Sequence, residues 1–347
     1  MDDVAGPPAV NPAARPAGPA LEVRHETVYH YESPVSLAHH QAHLQPLADA
    51  DQMLVSHWLE IDPPAAFRRD SRDAMGNAQT HFSLALPHRQ LRVCATSRVR
   101  LQDRFEALRP ASGPPWEPLA AGLRYVARSV EVAAASAGPA PMRFEPAVEF
   151  VSPSPYVPRL PALRAYALPS FPPGCPVAEA ALHLMQRLHA DFAYESRSTE
   201  VDTPLQEVLA QRRGVCQDFA HLLIGCLRVL GLPARYVSGY LLTRAPGGGA
   251  PLVGADASHA WVQVWCPGTD GVADWLDLDP TNNVVPAAGH VRVAVGRDYG
   301  DVTPLKGVIR GGGQHELAVG VSTRMLEPVL EDTPAADLDR SPGAVAR

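Results

Sequence analysis

Lysine is almost absent from this chain. Lys306 is the single lysine among 347 residues, and arginine supplies nearly all of the positive charge. No basic block stands out, and the formal net charge is −7. A nucleic-acid-binding protein would carry a clustered basic patch, so nucleic acid is not expected as a partner.

Long apolar runs and paired cysteines are also missing. No stretch approaches the roughly 18 apolar residues of a membrane-spanning helix, and the N-terminus begins with acidic residues and lacks the apolar segment of a secretory signal. The five cysteines are odd in number and form no Cys-x-x-Cys pair, which argues against a disulfide framework or a zinc site. We therefore expect a cytoplasmic protein with free thiols, no membrane partner and no cofactor.

The composition is that of an ordinary globular protein, with 46% hydrophobic and 19% charged residues. The alanine- and proline-rich residues 1–19 are predicted to be a disordered arm, and the acidic residues 331–347 a disordered tail. Between residues 20 and 105, short runs of alternating apolar and polar residues predict a β-rich, sandwich-like domain. Ser33-Pro34 is a predicted turn within it.

The pattern then changes to a helical period. The proline-rich residues 106–165 are predicted to be an irregular connection with one helix near residues 117–130. Residues 166–330 are predicted to form an α+β core, in which helices precede an antiparallel meander of strands. Apolar residues recur at intervals of three and four in Pro176–Ala190 and again in Phe219–Leu230, which predicts two of these helices.

Cys216 stands at the amino end of the second of these helices. A thiol there faces unpaired backbone N–H groups and the positive end of the helix dipole, which favours the thiolate. The same N–H groups are suited to bind an oxyanion, and Gly214 allows the chain to turn sharply beside them. Because a free cysteine is more often a small buried hydrophobe, the position of Cys216 is only a first indication of a nucleophile.

His259 supplies a possible base, since it begins the strand HAWVQVWC beside a glycine-rich loop. In an antiparallel hairpin with the strand ADWLDLD, paired residue numbers have a constant sum. A turn centred on Thr269 places His259 opposite Asp279. A turn centred on Gly268 places Asp277 there instead. Either register gives an imidazole oriented by a carboxylate, as a general base needs.

These segments together resemble a known family. GVCQDFAHLLIGCLRVLGLPARYVSGYLLT, DASHAWVQVW and DLDPTNN occur in the order found in bacterial transglutaminase-like proteins, which belong to the papain-like transglutaminase superfamily. YHYESPV and DAMGN near the N-terminus, and GRDYGDVTPLKGVIRGGG near the C-terminus, are similar to the same bacterial branch. The resemblance covers nearly the whole chain between the two tails. It implies a papain-like transglutaminase core preceded by the β-rich domain.

By that resemblance Cys216 matches the nucleophile, His259 the base and Asp279 the third member of a catalytic triad. The match selects Asp279 over Asp277, which hairpin arithmetic leaves open. Leu47 stands where this branch commonly has an arginine, so no role is expected at that position. Nothing resembles the acidic calcium sites of animal transglutaminases, so metal activation is not implied.

The expected chemistry is acyl transfer or amide-bond hydrolysis on a peptide or protein, through an acyl-enzyme. Water as the acceptor makes the protein a cysteine peptidase or amidase, and an amine makes it a transglutaminase. Gln217, Asp218 and Trp261 are predicted to contact the substrate, although helix capping by Asp218 and core packing of Trp261 are sufficient structural roles.

Two other interpretations of these residues compete with the enzyme hypothesis. A metal site is disfavoured, because the spacing of five between Cys216 and His221 does not align on one helix face. A non-catalytic binding protein that retains an inactive triad is the alternative, since residues can be present yet misaligned.

Overall fold

The computed structural model describes residues 18–102, 113–123, 146–196, 198–242, 258–267, 275–286 and 289–326. Most of the predicted arm and the whole of the predicted tail lie outside these residues. So do residues 106–112 and 124–145 of the predicted connection. Within the described residues, no helix has both the length and the apolar character needed to cross a membrane.

Thirteen strands and six α-helices are described in these ranges. The strands are β1 Ala20–Ala42, β2 Gln52–Asp62, β3 Phe67–Arg72, β4 Ala78–Leu84, β5 His88–Leu101, β6 Ala193–Tyr194, β7 Arg213–Gly214, β8 Ala234–Leu241, β9 His259–Trp265, β10 Trp275–Leu278, β11 His290–Gly296, β12 Leu305–Gly311 and β13 His315–Leu326. The helices are α1 Trp116–Gly122, α2 Pro161–Ala167, α3 Val177–Asp191, α4 Leu205–Gln211, α5 Cys216–Val229 and α6 Tyr299–Val302.

The long strand β1 organises a seven-stranded sheet with the order β2-β5-β1-β4-β3, in which β12 and β13 also pair with β1. The predicted turn at Ser33-Pro34 is wrong, because β1 continues through it. The register of β1 against β5 shifts between His30 and Val35. After Val35, β1 pairs with β4 and β12 instead of β5 and β13. Proline is tolerated at such an irregularity because the regular ladder is already interrupted.

The change of partners divides the sheet into two halves that share one buried cluster. Phe82 and Leu84 of β4 pack in the same cluster as Leu91 and Val93 of β5. Apolar side chains from both halves are therefore removed from water between them. The alternation in the sequence gives each strand one apolar face, and these faces pack together as in a sandwich.

The predicted α+β core contains a four-stranded sheet with the strand order β10-β9-β8-β11, in which each neighbouring pair is antiparallel. Helix α5 packs against it through its apolar stripe, which is buried together with Ala260, Val262 and Val264 of β9. The predicted helices at 176–190 and 219–230 are confirmed as α3 and α5. The predicted α+β class is likewise confirmed, with helices packed on an antiparallel sheet behind a β-rich region.

The two C-terminal strands belong to the N-terminal sheet rather than to the core. β12 pairs with the second half of β1, and β13 pairs with its first half. The predicted core of residues 166–330 therefore extends too far, since its own sheet ends with β11. Alternating apolar residues indicate a strand, but they do not indicate which strand is its partner.

Two amide side chains from the N-terminal region bind the outer edge of β11, the last strand of the core sheet. Gln52 donates to the carbonyl of Arg292 at 2.7 Å and accepts from its amide at 2.8 Å. Asn77, in the DAMGN segment, does the same with Val295 at 2.7 and 2.8 Å. A primary amide carries both a donor and an acceptor, so each side chain replaces one residue of a neighbouring strand.

Candidate active site

The candidate site lies where four strands of the core sheet end or begin. Gly239 near the end of β8 pairs with His259 at the start of β9. His290 at the start of β11 pairs with Leu241 at the end of β8. Asp279 directly follows β10 at the same end of the sheet. The antiparallel order thus gathers residues from distant parts of the sequence.

His259 and Asp279 form a buried pair. Nε2 of His259 lies 2.9 Å from Oδ2 of Asp279, and neither side chain has any exposed surface. Because an ionised carboxylate only accepts hydrogen bonds, Nε2 carries the proton that it donates to Asp279. The other ring nitrogen, Nδ1, is also buried, and it makes no hydrogen bond of normal geometry within the described residues.

The Asp279 carboxylate accepts hydrogen bonds at both oxygens. Oδ1 accepts the backbone amides of Thr281 and Asn282 at 3.0 and 3.2 Å. Oδ2 accepts the Asn282 side-chain amide at 2.8 Å and Nε2 of His290 at 3.2 Å, in addition to His259. These donors come from the turn that follows β10 and from two strands. They fix the orientation of the carboxylate and favour its ionised form.

His259 and Asp279 each stabilise the charged form of the other. Burial alone disfavours the imidazolium, but the carboxylate of Asp279 and then the sulfur of Cys216 raise the pKa of His259 above its ordinary value. Burial also opposes ionisation of Asp279, yet the charges and hydrogen bonds of His259 and His290 hold its pKa well below the usual range. The pair is therefore an imidazolium and a carboxylate near neutral pH.

Cys216 is the first residue of α5, as the sequence predicts. Its thiol is partly exposed and free. Since hydrogen bonding and charge from Cys216 contribute to the raised pKa of His259, the thiol lies within interaction range of that ring. The structure therefore places Cys216 within interaction range of His259, whose imidazole contacts Asp279.

The hairpin register differs from both predicted registers. Trp275 pairs with Trp265 and Asp277 with Gln263, so His259 is opposite neither aspartate. Continuing this register places Asp279 opposite Trp261, and it reaches His259 diagonally. Because side chains alternate with a period of two, the displacement leaves both aspartates on the face of His259. The turn that sets the register falls in residues 268–274, outside the described ranges.

The Asp218 side chain is buried and holds the turn before the nucleophile. Its Oδ2 accepts the Val215 amide at 2.8 Å and the Thr199 hydroxyl at 2.6 Å. A side chain at Gly214 would bring a Cβ to 2.7 Å from the same oxygen, so this close approach requires glycine. Burial raises the pKa of Asp218, and these two hydrogen bonds oppose the rise.

Gln217 and Trp261 occupy contrasting environments. Gln217 donates from Nε2 to the carbonyl of Val201 at 2.9 Å. The Trp261 side chain is completely buried and donates from Nε1 to Asp277 at 2.7 Å. Its ring also packs in a cluster with Leu47 and Met75 of the N-terminal region. Contact of Gln217, Asp218 or Trp261 with a substrate stays a prediction.

His290 joins the site although sequence reasoning did not identify it. It follows Asp279 by eleven residues, and its strand lies two strands away from β9 in the sheet. Only the strand order shows that β11 begins at the same end as β9. Among the described residues, no group of three or more His, Cys, Asp or Glu side chains is arranged to hold a metal ion.

Two segments of the chain match models of protein families. Residues 21–100 match the bacterial transglutaminase-like N-terminal region, and residues 172–280 match the transglutaminase-like superfamily. Cys216, His259 and Asp279 all lie in the second segment.

Individual relatives extend the similarity over most of the chain. An uncharacterised protein of Mycobacterium tuberculosis is 40% identical over 298 residues, which make up 85% of this chain and 89% of that protein. A protein-glutamine gamma-glutamyltransferase of Pseudomonas aeruginosa is 36% identical over 107 residues, which make up 30% of this chain and 15% of that enzyme.

A solved structure shares the fold. The crystal structure of a candidate cysteine protease from Cytophaga hutchinsonii superimposes with a TM-score of 0.64 and 21% identity, covering 90% of this chain and 92% of that one. This likeness confirms the papain-like fold expected from the sequence resemblance.

Proposed function

Because this chain belongs to the transglutaminase-like superfamily, we propose that it is a thiol-dependent enzyme in which Cys216 attacks amide carbonyl groups of a peptide or protein. The single observation that carries this proposal is the position of His259. One ring nitrogen is held by Asp279 at 2.9 Å, and the ring interacts with the Cys216 thiol. This is the nucleophile, base and orienting carboxylate that covalent acyl transfer requires.

The proposed reaction has two steps. The Cys216 sulfur, as a thiolate that has given its proton to His259, bonds to the carbonyl carbon. The carbon–nitrogen bond breaks as His259 returns that proton to the departing nitrogen, which leaves a thioester and a free amine. In the second step water or another amine attacks the thioester while His259 accepts its proton, and the thiolate leaves. Since Nε2 of His259 is engaged by Asp279, Nδ1 is the nitrogen left to move these protons.

Helix α5 supplies the electrostatic part of this proposal. Its first backbone N–H groups have no partner within the helix, and they surround the residue that carries the thiol. Such groups stabilise the negative oxygen that forms when a thiolate adds to a carbonyl. Asp218 keeps the preceding turn closed on the helix, so these donors are fixed before a substrate arrives.

The acyl acceptor divides the proposal into two enzymes. The similarity to the Pseudomonas protein-glutamine gamma-glutamyltransferase supports a glutamine side chain as acyl donor and an amine as acceptor. Hydrolysis by water is the other outcome of the same thioester. We propose the reducing cytoplasm as the compartment, since the free thiols of all five cysteines suit it.

Intact-mass analysis tests this function. The protein is incubated with glutamine-containing peptides, with and without a primary amine. Amine-dependent mass additions to the peptides indicate transfer, whereas cleaved or deamidated peptides indicate hydrolysis. Cys216→Ala should abolish either product, and His259→Ala should nearly do so.

Cys175→Ala is the matched control, because Cys175 is the other partly exposed cysteine and lies outside the site. It should leave product formation unchanged. Full turnover by the Cys216→Ala variant on any substrate would refute the proposed mechanism.

A further inference from the structure

A second histidine contacts the carboxylate that orients the proposed base. Nε2 of His290 lies 3.2 Å from Oδ2 of Asp279, the oxygen that also accepts from His259. The His290 side chain is only 5% exposed. The two imidazole rings are 6.4 Å apart between centroids, so they approach the carboxylate from separate directions.

The direction of the His290 hydrogen bond follows from the chemistry of its partner. Asp279 is ionised and only accepts, so Nε2 of His290 must carry a proton. Oδ2 thus receives three donors, from His259, His290 and Asn282. His290 is the donor that comes from the far edge of the sheet, across β8.

The ring of His290 is itself held in place. It meets the Trp261 ring edge-on, with centroids 5.3 Å apart and an interplanar angle of 82°. Trp261 in turn donates to Asp277 at 2.7 Å, so its indole is fixed on both sides. This packing against Trp261 favours the ring orientation in which Nε2 of His290 faces Asp279.

A buried histidine in this chain does not need such a partner. His40 is 7% exposed, stacks on Phe82 with centroids 5.0 Å apart, and leaves both ring nitrogens without a hydrogen bond in the described structure. Packing alone is therefore sufficient to bury an imidazole here. The aimed contact of His290 with Asp279 is an additional feature.

We propose that His290 is a positioning residue of the active site, which holds the Asp279 carboxylate in the orientation that aligns His259 with Cys216. This role rests on the proposed function. His290 acts through Asp279 and is not assigned any contact with the substrate. Its loss should therefore lower kcat on the order of 10-fold or more, the value of a hydrogen bond to a charged group, and leave KM unchanged.

The experiment compares three substitutions. His290→Phe keeps a flat ring against Trp261 but removes the donor. His290→Gln keeps an amide nitrogen at the distance of Nε2, whereas His290→Asn places its amide one methylene short. We expect the phenylalanine and asparagine variants to be impaired and the glutamine variant to be restored. His40→Phe is the matched control for replacing a buried histidine and should behave like the wild type.

Two readouts are taken for each variant. One is the rate of Cys216 alkylation by iodoacetamide at neutral pH, which needs no substrate, and the other is kcat and KM with the peptide found above. Both are repeated in an Asp279→Asn background, where a group that acts only through Asp279 has nothing left to position. There His290→Phe should cause no further loss.

The outcomes separate the two proposals. Fast alkylation of wild-type Cys216 with no change in the His290→Phe and His290→Asn variants overturns the positioning role alone. The positioning role is also overturned if His290→Phe lowers the alkylation rate or kcat as much in the Asp279→Asn background as in the wild type. The same holds if His290→Gln is as impaired as His290→Asn. Should the phenylalanine variant fail to fold, the pair of amide variants decides the matter. If wild-type Cys216 reacts no faster than Cys175, the proposed function fails and the role of His290 fails with it.

Discussion

Replacement of Asn77 by alanine tests how the N-terminal region holds the core sheet. The Asn77 side chain is fully buried, and its amide makes three hydrogen bonds. It donates to the carbonyl of Val295 at 2.7 Å and to Asp73 at 2.7 Å, and it accepts from the amide of Val295 at 2.8 Å. Alanine removes all three and leaves both backbone groups of Val295 without a partner.

The magnitude follows from those two backbone groups. A buried donor or acceptor that loses its partner costs about 1–3 kcal/mol, so Asn77→Ala should lower the free energy of unfolding by about 2–5 kcal/mol. Urea unfolding followed by tryptophan fluorescence measures the change, since Trp261 packs beside Met75 in the same region.

Gln79→Ala is the control, because this partly exposed amide bonds only to His81 among the contacts of the described chain. It should change the free energy of unfolding by less than about 0.5 kcal/mol. An Asn77→Ala variant as stable as the control would refute the idea that this amide replaces a strand partner of β11.

Two further predictions concern the fold around the site. The pKa of Asp279 lies below its ordinary 3.8, and that of His259 lies above its ordinary 6.5. The ion pair therefore makes its full contribution to the free energy of unfolding between pH 3.8 and pH 6.5. It falls as the pH drops toward the lowered pKa of Asp279 and as the pH rises toward the raised pKa of His259. The difference in unfolding free energy between the wild type and Asp279→Asn should therefore peak in that window, and a difference independent of pH would contradict the ion pair. At Gly239, an added Cβ would lie 2.3 Å from the Trp261 ring and 2.2 Å from a backbone carbonyl of β11. Gly239→Ala should thus lower the free energy of unfolding, measured by thermal unfolding, by about 1–3 kcal/mol. Gly320 in β13 has open space around an added Cβ, so Gly320→Ala should change this free energy little. Equal stability of the two variants would argue against the packing at Gly239.

Local signals in the sequence predicted helices α3 and α5 and part of the candidate site. The apolar stripe in Phe219–Leu230 and the glycine just beyond it give α5, because both depend on neighbouring residues only. Strand periodicity predicted that His259 and Asp279 share a face. It did not predict their register, since that depends on a turn whose geometry is not written in the alternation.

Long-range partners were the part that the sequence did not reveal. His290 reaches Asp279 only because β11 lies beside β8, and that order depends on how the whole sheet assembles. Gln52 and Asn77 read as ordinary polar residues until the edge of β11 is seen beside them. For the same reason the last two strands were assigned to the core, although they pair with β1.

The most direct test of the proposed nucleophile compares the two partly exposed thiols of this chain. Cys216 and Cys175 are both partly exposed, and burial raises the pKa of Cys175. Limited iodoacetamide at neutral pH, followed by peptide mass mapping, gives the labelling rate at each position. We predict that Cys216 is labelled at least about 10-fold faster than Cys175, and that His259→Ala removes most of this difference. Equal labelling of the two cysteines, or a preference for Cys216 that persists without His259, would contradict the account.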